Sequence, residues 1–333
     1  MGASADPDDE LFTRQRPRLF GVAYRMLGSR SDAEDVLQDA WLRWHGQDKQ
    51  QLESAEAWLV TVVTRLCIDR LRQAQQERLS YVGHWLPEPL VDLADAGPEI
   101  DLFGHAMLAP SPEALLEQHS DVSFAYLLLL ERLKPEERAA FLLREVFDND
   151  YPDIAAILQK SEAGCRQLVH RARERLEKHE ADDQRGVAPR KPLRAASSPA
   201  SNPISREAHH TLLQKFMQAV QSGEREAMLG LLAEDARLIG DGGGKVSSFP
   251  HPLFSGARIS WLYYANRRRF GERIAYRAAW INGSPGLLRY VDGKLESAQV
   301  LETDNGLIAE IYVVRNPDKL AAIARQTLSL PAP

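Results

Sequence analysis

The chain has 333 residues, 44% of them apolar, which is enough for two or three domains with real cores at about 150 residues each. A net charge of -6 excludes a general polyanion binder, so any DNA affinity must come from local basic patches aided by a partner, and should be weak and salt-sensitive in the free chain. Cys67 and Cys165 both sit in helical apolar patterns, which excludes a disulfide framework and a cysteine metal site and fits a reducing cytoplasm. The stretch from Met1 to Glu10 is acidic, and no apolar run reaches bilayer length, so neither a signal peptide nor a membrane helix is expected.

Residues 10–78 predict three helical stretches, broken at Gly28–Ser31 and between Gly46 and Ser54. In Ser31–Trp44 the apolar stripe is Ala33, Val36, Leu37, Ala40, Trp41 and Trp44, with Asp32, Asp35, Gln38 and Asp39 toward the other side. An acidic face beside tryptophans can dock on a basic partner helix; a solvated face whose acidic first turn suits the helix dipole accounts for the same residues. In the next helix, Ala57–Arg72, Leu59, Val62, Val63, Leu66 and Leu71 point inward. Thr61, Arg65, Asp69, Arg70 and Arg72 can face outward, where basic groups can track a separated DNA strand. Pro87, Pro89, Pro98, Pro110 and Pro112 break up residues 79–118, which read as a linker.

Four helices fit between Ser120 and Glu180. The last two, over Tyr151–Leu176, predict a helix-turn-helix. Ile154, Ala155 and Leu158 pack on one side of the turn, Ser161 caps the second helix, and Cys165, Leu168, Val169, Ala172 and Leu176 form its inner stripe. Glu162, Arg166, Gln167, His170, Arg171, Arg173 and Arg175 remain outside. Arg166 and Gln167 lie in the early turns, where a recognition helix reaches base edges, and Arg171, Arg173 and Arg175 suit phosphates. A plain antiparallel hairpin with surface arginines is the alternative on this segment alone.

A second linker, Asp182–Asn202, is rich in Pro, Ser, Ala and Arg and is expected to have no fixed fold. Beyond Ile204, two amphipathic helices precede alternating stretches at Arg273–Ile281, Gly286–Val291, Leu295–Leu301 and Leu307–Val314. These predict an α+β domain with an antiparallel sheet. In Ala257–Phe270, Ile259, Leu262, Tyr263 and Phe270 are placed for packing, with Arg267–Arg269 at the C-terminal end. Asp241-Gly-Gly-Gly-Lys245 invites a phosphate-loop reading, but Ile239 and Val246 stand where a Walker loop needs Gly and Ser or Thr. A flexible hairpin end and a contact loop remain, the glycines allowing close backbone approach and Asp241 and Lys245 offering opposite charges. Asp241, His251, Tyr290 and Asp292 are candidate acid/base groups without a defined pair. His209 and His210 are adjacent and lack a spaced carboxylate, so no metal and no cofactor is expected.

Asp-Ala-Glu-Asp-Val-Leu-Gln-Asp (residues 32–39), the Ala57-Trp-Leu…Asp-Arg-Leu-Arg72 helix and His170-Arg-Ala-Arg173 resemble, in order and spacing, an extracytoplasmic-function (ECF) sigma factor of bacterial RNA polymerase. Tyr81-Val-Gly-His-Trp-Leu-Pro-Glu-Pro-Leu90, Asp241–Lys245 and Asn316-Pro-Asp-Lys-Leu320 are similar to the signatures of the SigJ-like subgroup with a fused SnoaL-like (NTF2-like) domain. His84 stands where that pattern has Pro. The resemblance implies a multidomain fold: two all-α sigma domains, a region 2 helical bundle and a region 4 helix-turn-helix, followed by an α+β NTF2-like cone. The implied boundaries are region 2 at 8–80, a linker at 81–119, region 4 at 120–180, a flexible linker at 181–203 and the SnoaL-like domain at 204–327.

It further implies a promoter-specificity subunit that is not an enzyme, is cytoplasmic, has core RNA polymerase and promoter DNA as partners, and is autoregulated by its tail. Polymerase-binding positions are then Asp32, Asp35, Gln38 and Trp41; -10 contacts Arg65, Asp69, Arg70 and Arg72; -35 contacts Ser161, Glu162, Arg166, Gln167, His170, Arg171 and Arg173. The implied regulatory interface is intramolecular and comprises Trp85, Leu86, Pro87, Glu88, Pro89, Asp241, Gly242, Gly243, Gly244, Lys245, Asn316, Pro317, Asp318 and Lys319. A small-molecule ligand of unidentified chemistry in the tail pocket is the remaining partner to consider. A tailoring enzyme with a helical localisation module and a dimeric helix-turn-helix repressor are the competing readings.

Overall fold

The computed structural model describes residues 7–92, 123–178 and 206–327. The chain falls into two compact units, one of residues 1–80 with 129–179 and the other of 81–128 with 180–333. Residues 93–119 of the first expected linker, and the whole of the second at 181–203, lie outside the described residues.

In the first unit, α1 (Pro7–Leu27), α2 (Arg30–His45) and α3 (Ala55–Leu79) pack on one another. Serine caps start the second and third: Ser29 Oγ accepts from the Asp32 amide and Ser54 Oγ from the Ala57 amide, each at 3.2 Å. They satisfy amides that a first helical turn leaves without partners. Ala33, Val36, Leu37, Ala40 and Trp44 are buried, and Trp44 tilts against Trp58 with ring centroids 5.7 Å apart. Trp41 departs from the expected stripe and is 37% exposed. It lies one residue past Ala40, about 100° further round the helix, and so falls on the flank.

Among the described residues four helices follow, as expected: α4 (Phe124–Leu130), which begins in the second unit, and α5 (Pro135–Glu145), α6 (Tyr151–Leu158) and α7 (Glu162–Lys178) in the first. Gln159 ends α6 in the left-handed region at φ +53°, and Ser161 Oγ accepts from the Gly164 amide at 3.1 Å to begin α7. Cys165, Leu168, Val169, Ala172 and Leu176 are all buried, each large side chain contributing roughly 1.5–3 kcal/mol. On α6 the inward residues are Ile154 and Ile157, while Ala155 and Leu158 are half-buried, a shift of one position from the expected stripe.

In the second unit, α8 (Arg206–Ser222) and α9 (Arg225–Leu231) pack with a seven-stranded sheet ordered β1-β4-β5-β6-β7-β2-β3. The strands are β1 (Val91–Asp92), β2 (Leu232–Asp241), β3 (Leu253–Phe254), β4 (Ile274–Ile281), β5 (Ser284–Val291), β6 (Lys294–Asp304) and β7 (Leu307–Val314). Helix α10 (Gly256–Phe270) precedes β4, and α11 (Pro317–Thr327) follows β7. The sheet is mixed rather than wholly antiparallel, because β2 runs parallel to β7. Neither β2 nor α11 was expected. From Ala236 to Asp241 every residue of β2 is buried, so the two-residue alternation that marks a half-exposed strand is absent.

Both faces of the sheet are covered. Phe216 of α8 and Ile259 and Tyr263 of α10 pack with Tyr276, Leu287 and Leu301. The opposite face sets Ile281, Leu288, Val300 and Tyr312 against Leu320 and Ile323 of α11, and also against Leu86, Val91 and Phe124. Segment 81–92, read from sequence as linker, therefore supplies core side chains and an edge strand to this unit. The helix-packed, α+β architecture is the one implied for the SnoaL-like tail.

Candidate functional site: a buried carboxylate hub and a basic helical face

The second unit is organised around Asp241, at the end of β2, whose side chain is fully buried. Oδ1 accepts from the Tyr81 hydroxyl at 2.6 Å and the Gly243 amide at 3.0 Å. Oδ2 accepts from the Leu86 amide at 3.0 Å and Lys319 Nζ at 2.7 Å. Four donors fill the lone-pair sites of one carboxylate. Its backbone carbonyl accepts from the Arg315 and Asn316 amides at 2.7 and 3.0 Å, which fixes the turn into α11.

Lys319 also donates to the Leu86 carbonyl, and its ammonium stands 4.4 Å from the Trp85 ring centroid and 5.3 Å from that of Tyr81. Asn316 Nδ2 donates to the Tyr81 hydroxyl at 3.1 Å. Burial and the neighbouring Asp241 carboxylate push the Tyr81 phenol far up. Pro87, Glu88 and Pro89 are buried beyond the hub. Leu90 and Asn282 then exchange bonds, amide to side-chain carbonyl and amide to backbone carbonyl, both at 2.9 Å. Val91 and Asp92 pair with Ile281 and Trp280.

The glycines of Asp241–Lys245 serve close approach. Gly243 has φ +60°, and a Cβ there would lie 2.3 Å from Asn316 Nδ2; at Gly244, φ +71°, a Cβ would meet Val82 at 3.1 Å. Lys245 contacts not the linker but Asp318, at 2.5 Å and in solvent. Thus Trp85, Leu86, Asp241, Gly243, Gly244, Asn316 and Lys319 come together, whereas Lys245 and Asp318 pair within the tail. Tyr81, Val82 and Asn282 belong to the same contact and were not singled out from sequence; Tyr81 opens the motif and was the available signal.

The candidate acid/base groups do not converge. Asp241 is saturated, Tyr290 packs on the sheet face that carries Tyr312, and His251 is exposed. Asp292 is held by Arg273 at 2.5 Å, which keeps its carboxyl below the usual range. His209 contacts Thr303 at 3.0 Å and His210 contacts Gln214 at 3.5 Å. Among the described residues no group of three or more His, Cys, Asp or Glu is placed to hold a metal, and no helix is long and apolar enough to cross a membrane.

In the first unit, Asp35, Gln38 and Leu42 of α2 are exposed, and the Trp41 ring lies 4.5 Å from that of His45. Asp32 instead accepts from Arg70 Nε at 2.8 Å, joining one residue of each implied set. Asp69 and Glu136 both pair with Arg72, at 3.0 and 2.7 Å, and Arg65 donates to the Ile157 and Ala156 carbonyls at 2.9 and 3.1 Å.

On α7, Ser161, Glu162, Arg166, Gln167, His170, Arg171 and Arg173 are all exposed. Arg166 is steadied by Glu162 at 2.8 Å and by the Tyr151 ring at 4.9 Å. Arg173 pairs with Glu145 at 2.6 Å, and Arg175 turns back to the buried Glu137 at 3.3 Å. The exposed face is thus basic, with Arg166 and Arg173 held by Glu162 and Glu145 and Arg171 donating to the Gln167 carbonyl.

The family model for Sigma-70 region 2 matches residues 11–77 and that for Sigma-70, region 4 matches residues 123–176. The chain is 32% identical over 317 residues to the ECF RNA polymerase sigma factor SigJ of Mycobacterium tuberculosis, covering 92% of this chain and 91% of SigJ. It is 25% identical to the probable ECF RNA polymerase sigma factor SigI of the same organism, over 95% of each chain. The crystal structure of Mycobacterium tuberculosis SigJ superposes with a TM-score of 0.67 at 28% identity, covering 94% of this chain and 98% of that one. With two matched sigma regions and a likeness along nearly its whole length, the chain belongs to the extracytoplasmic-function RNA polymerase sigma factors, which direct transcription initiation.

Proposed function

We propose that this chain carries out its family's role of directing core RNA polymerase to promoters by dividing the work among three surfaces. The flank of α2 with the exposed Asp35, Gln38 and Trp41 and the half-buried Asp32 docks on polymerase. Arg65, Asp69, Arg70 and Arg72 of α3 contact the opened -10 strand. Ser161, Glu162, Arg166, Gln167, His170, Arg171 and Arg173 of α7 read the -35 element. The tail tunes initiation by holding the segment that leaves region 2. The observation that carries this last reading is the Asp241 carboxylate, whose four donors include Tyr81, Leu86 and Lys319. No bond is made or broken; the saturation of Asp241 removes the strongest candidate for a catalytic base. The SnoaL-like domain acts as a regulatory surface.

The test is reconstituted transcription. Promoters are mapped from transcripts after overexpression, then initiation is compared for the intact chain and for Tyr81→Phe and Lys319→Met with core polymerase. Altered initiation with unchanged polymerase affinity supports tail control. Initiation identical to the intact chain in both variants rejects it.

A further inference from the structure

The sheet face beneath α8 and α10 carries a polar row that promoter recognition does not use. Tyr276 of β4 pairs with Arg289 of β5, and Arg289 with Ser297 of β6, so the three side chains stand side by side on one face. All three are buried, Tyr276 to 4% exposure. Arg315, just past β7, brings a second guanidinium. It and Arg289 both close on Glu296, the extra residue of the bulge opposite Arg289 and Tyr290. Two guanidinium groups against one carboxylate leave one positive charge in excess among these groups.

In the adjacent row the Tyr263 hydroxyl of α10 donates to Gln299 Oε1 at 2.6 Å, and Gln299 Nε2 donates to Ser297 Oγ at 3.0 Å. That chain leaves Ser297 its own proton to give. Tyr276 Oη, Ser248 Oγ and Arg315 Nε are shielded from solvent and have no hydrogen-bond partner among the described residues. Ser248 lies over Gly240, where a Cβ would collide with its Oγ, and Gly240 pairs with Val313, the partner of Gln299. Burial pushes the Tyr276 phenol up to about 12, so near neutrality it keeps its proton. The unmet groups can all donate, and buried donors without acceptors are costly. An anion supplies acceptors to all of them and balances the excess charge.

We propose that this row binds a small monocarboxylate with an apolar body, and that its occupancy reaches the Asp241 clamp through Arg315. The carboxylate takes bonds from Tyr276, Ser297, Ser248 and Arg315, while the body lies on Leu287 and Val313 of the same sheet face. Arg315 is the link. Its side chain holds Glu296 in the row and the Ser247 carbonyl beside it, and its amide donates to the Asp241 carbonyl at 2.7 Å. A ligand that draws on the guanidinium therefore pulls on the backbone of the clamp. This second part rests on the reading of Asp241 as the group that holds the segment after residue 80.

The full chain is titrated by calorimetry with hexanoate, benzoate and phenylacetate, each beside its neutral amide, and with inorganic phosphate. At least one carboxylate should bind about tenfold or more tighter than its amide and than phosphate, as charge-assisted bonds require. Tyr276→Phe should weaken that carboxylate about tenfold without lowering the melting temperature of the unliganded chain, because the hydroxyl it removes has no partner there. Ser248→Ala should weaken it likewise and keeps the test valid if Tyr276→Phe fails to fold. Saturation should change exchange of the Leu86 amide, which donates to Asp241 Oδ2, about fivefold or more. No preference for any carboxylate over its amide, or unchanged affinity in the folded variants, overturns the site. Carboxylate binding with Leu86 exchange unchanged overturns the link through Arg315. Tail control stands or falls separately, on transcription by Tyr81→Phe and Lys319→Met.

Discussion

Lys319→Met keeps the aliphatic stem and removes the ammonium from the Asp241 hub. The pair is shielded, with the carboxylate side chain fully buried and the lysine side chain 11% exposed. Removing one partner of a buried pair costs about 3–5 kcal/mol, because the remaining charge is left in a poor solvent. The cation–π contact with Trp85 at 4.4 Å would be lost in the same change, so the two losses overlap rather than add. The Leu86 amide donates to the same carboxylate oxygen, which makes its hydrogen exchange a local reporter. At 1.36 kcal/mol per decade, its protection should fall roughly 100- to 5,000-fold in the variant. Amides in the middle of β5 and β6 should change far less. A change below about threefold at Leu86, with the sheet intact, would mean the ion pair does not hold the segment, and the electrostatic account of the hub would be wrong.

Gly243→Ala forces a Cβ to 2.3 Å from Asn316 Nδ2 at a positive φ, so the tail should lose at least about 1 kcal/mol in denaturant titrations; wild-type stability would refute the packing. Arg166→Ala should cost about 1–3 kcal/mol at one preferred base of the -35 element in competition binding, and an equal loss on every sequence would make Arg166 a phosphate clamp. Burial pushes Glu296 up, but Arg289 and Arg315 hold its carboxyl net below the ordinary value of 4.5. Its stabilising contribution is therefore complete above that ordinary value and is lost as pH falls through the lower, folded-state one, so Glu296→Gln should flatten the acid limb of the tail's stability curve. Burial raises both cysteine thiols, so a thiol reagent should modify Cys67 and Cys165 only at the rate of unfolding; rapid labelling in native buffer would contradict their placement.

The helical half was legible because its signals are local. Three-and-four spacing located α2, α3, α6 and α7, the Ser161 cap marked the start of α7, and every inward residue expected on α7 is buried. Four strands and α10 were likewise visible from alternation and from an apolar stripe. Trp41 was placed inside because position on a helix was read as a stripe rather than as an angle. β2 escaped because both its faces are covered, and β1 because two residues carry no period of their own and pair with Ile281 and Trp280 across the fold.

The hub was half legible. Its motifs stood out as Asp241–Lys245 and Asn316–Leu320, but the partner of each charge depends on contacts distant in the chain. Lys245 was the expected cation, yet α11 begins at Pro317, so that Asp318 meets Lys245 and Lys319, one residue on, meets Asp241. No short-range pattern distinguishes those two lysines.

The Asn316–Tyr81 bond spans 235 positions. At about 5–20 residues per second, a ribosome needs roughly 12–47 s to travel that far after making Tyr81. Throughout that interval a nascent chain carries its promoter-reading modules without the groups that clamp the segment between them. The clamp closes only after Asn316 and Lys319 have been made, so a chain cut short before Asn316 would emerge with both sigma regions and without those groups.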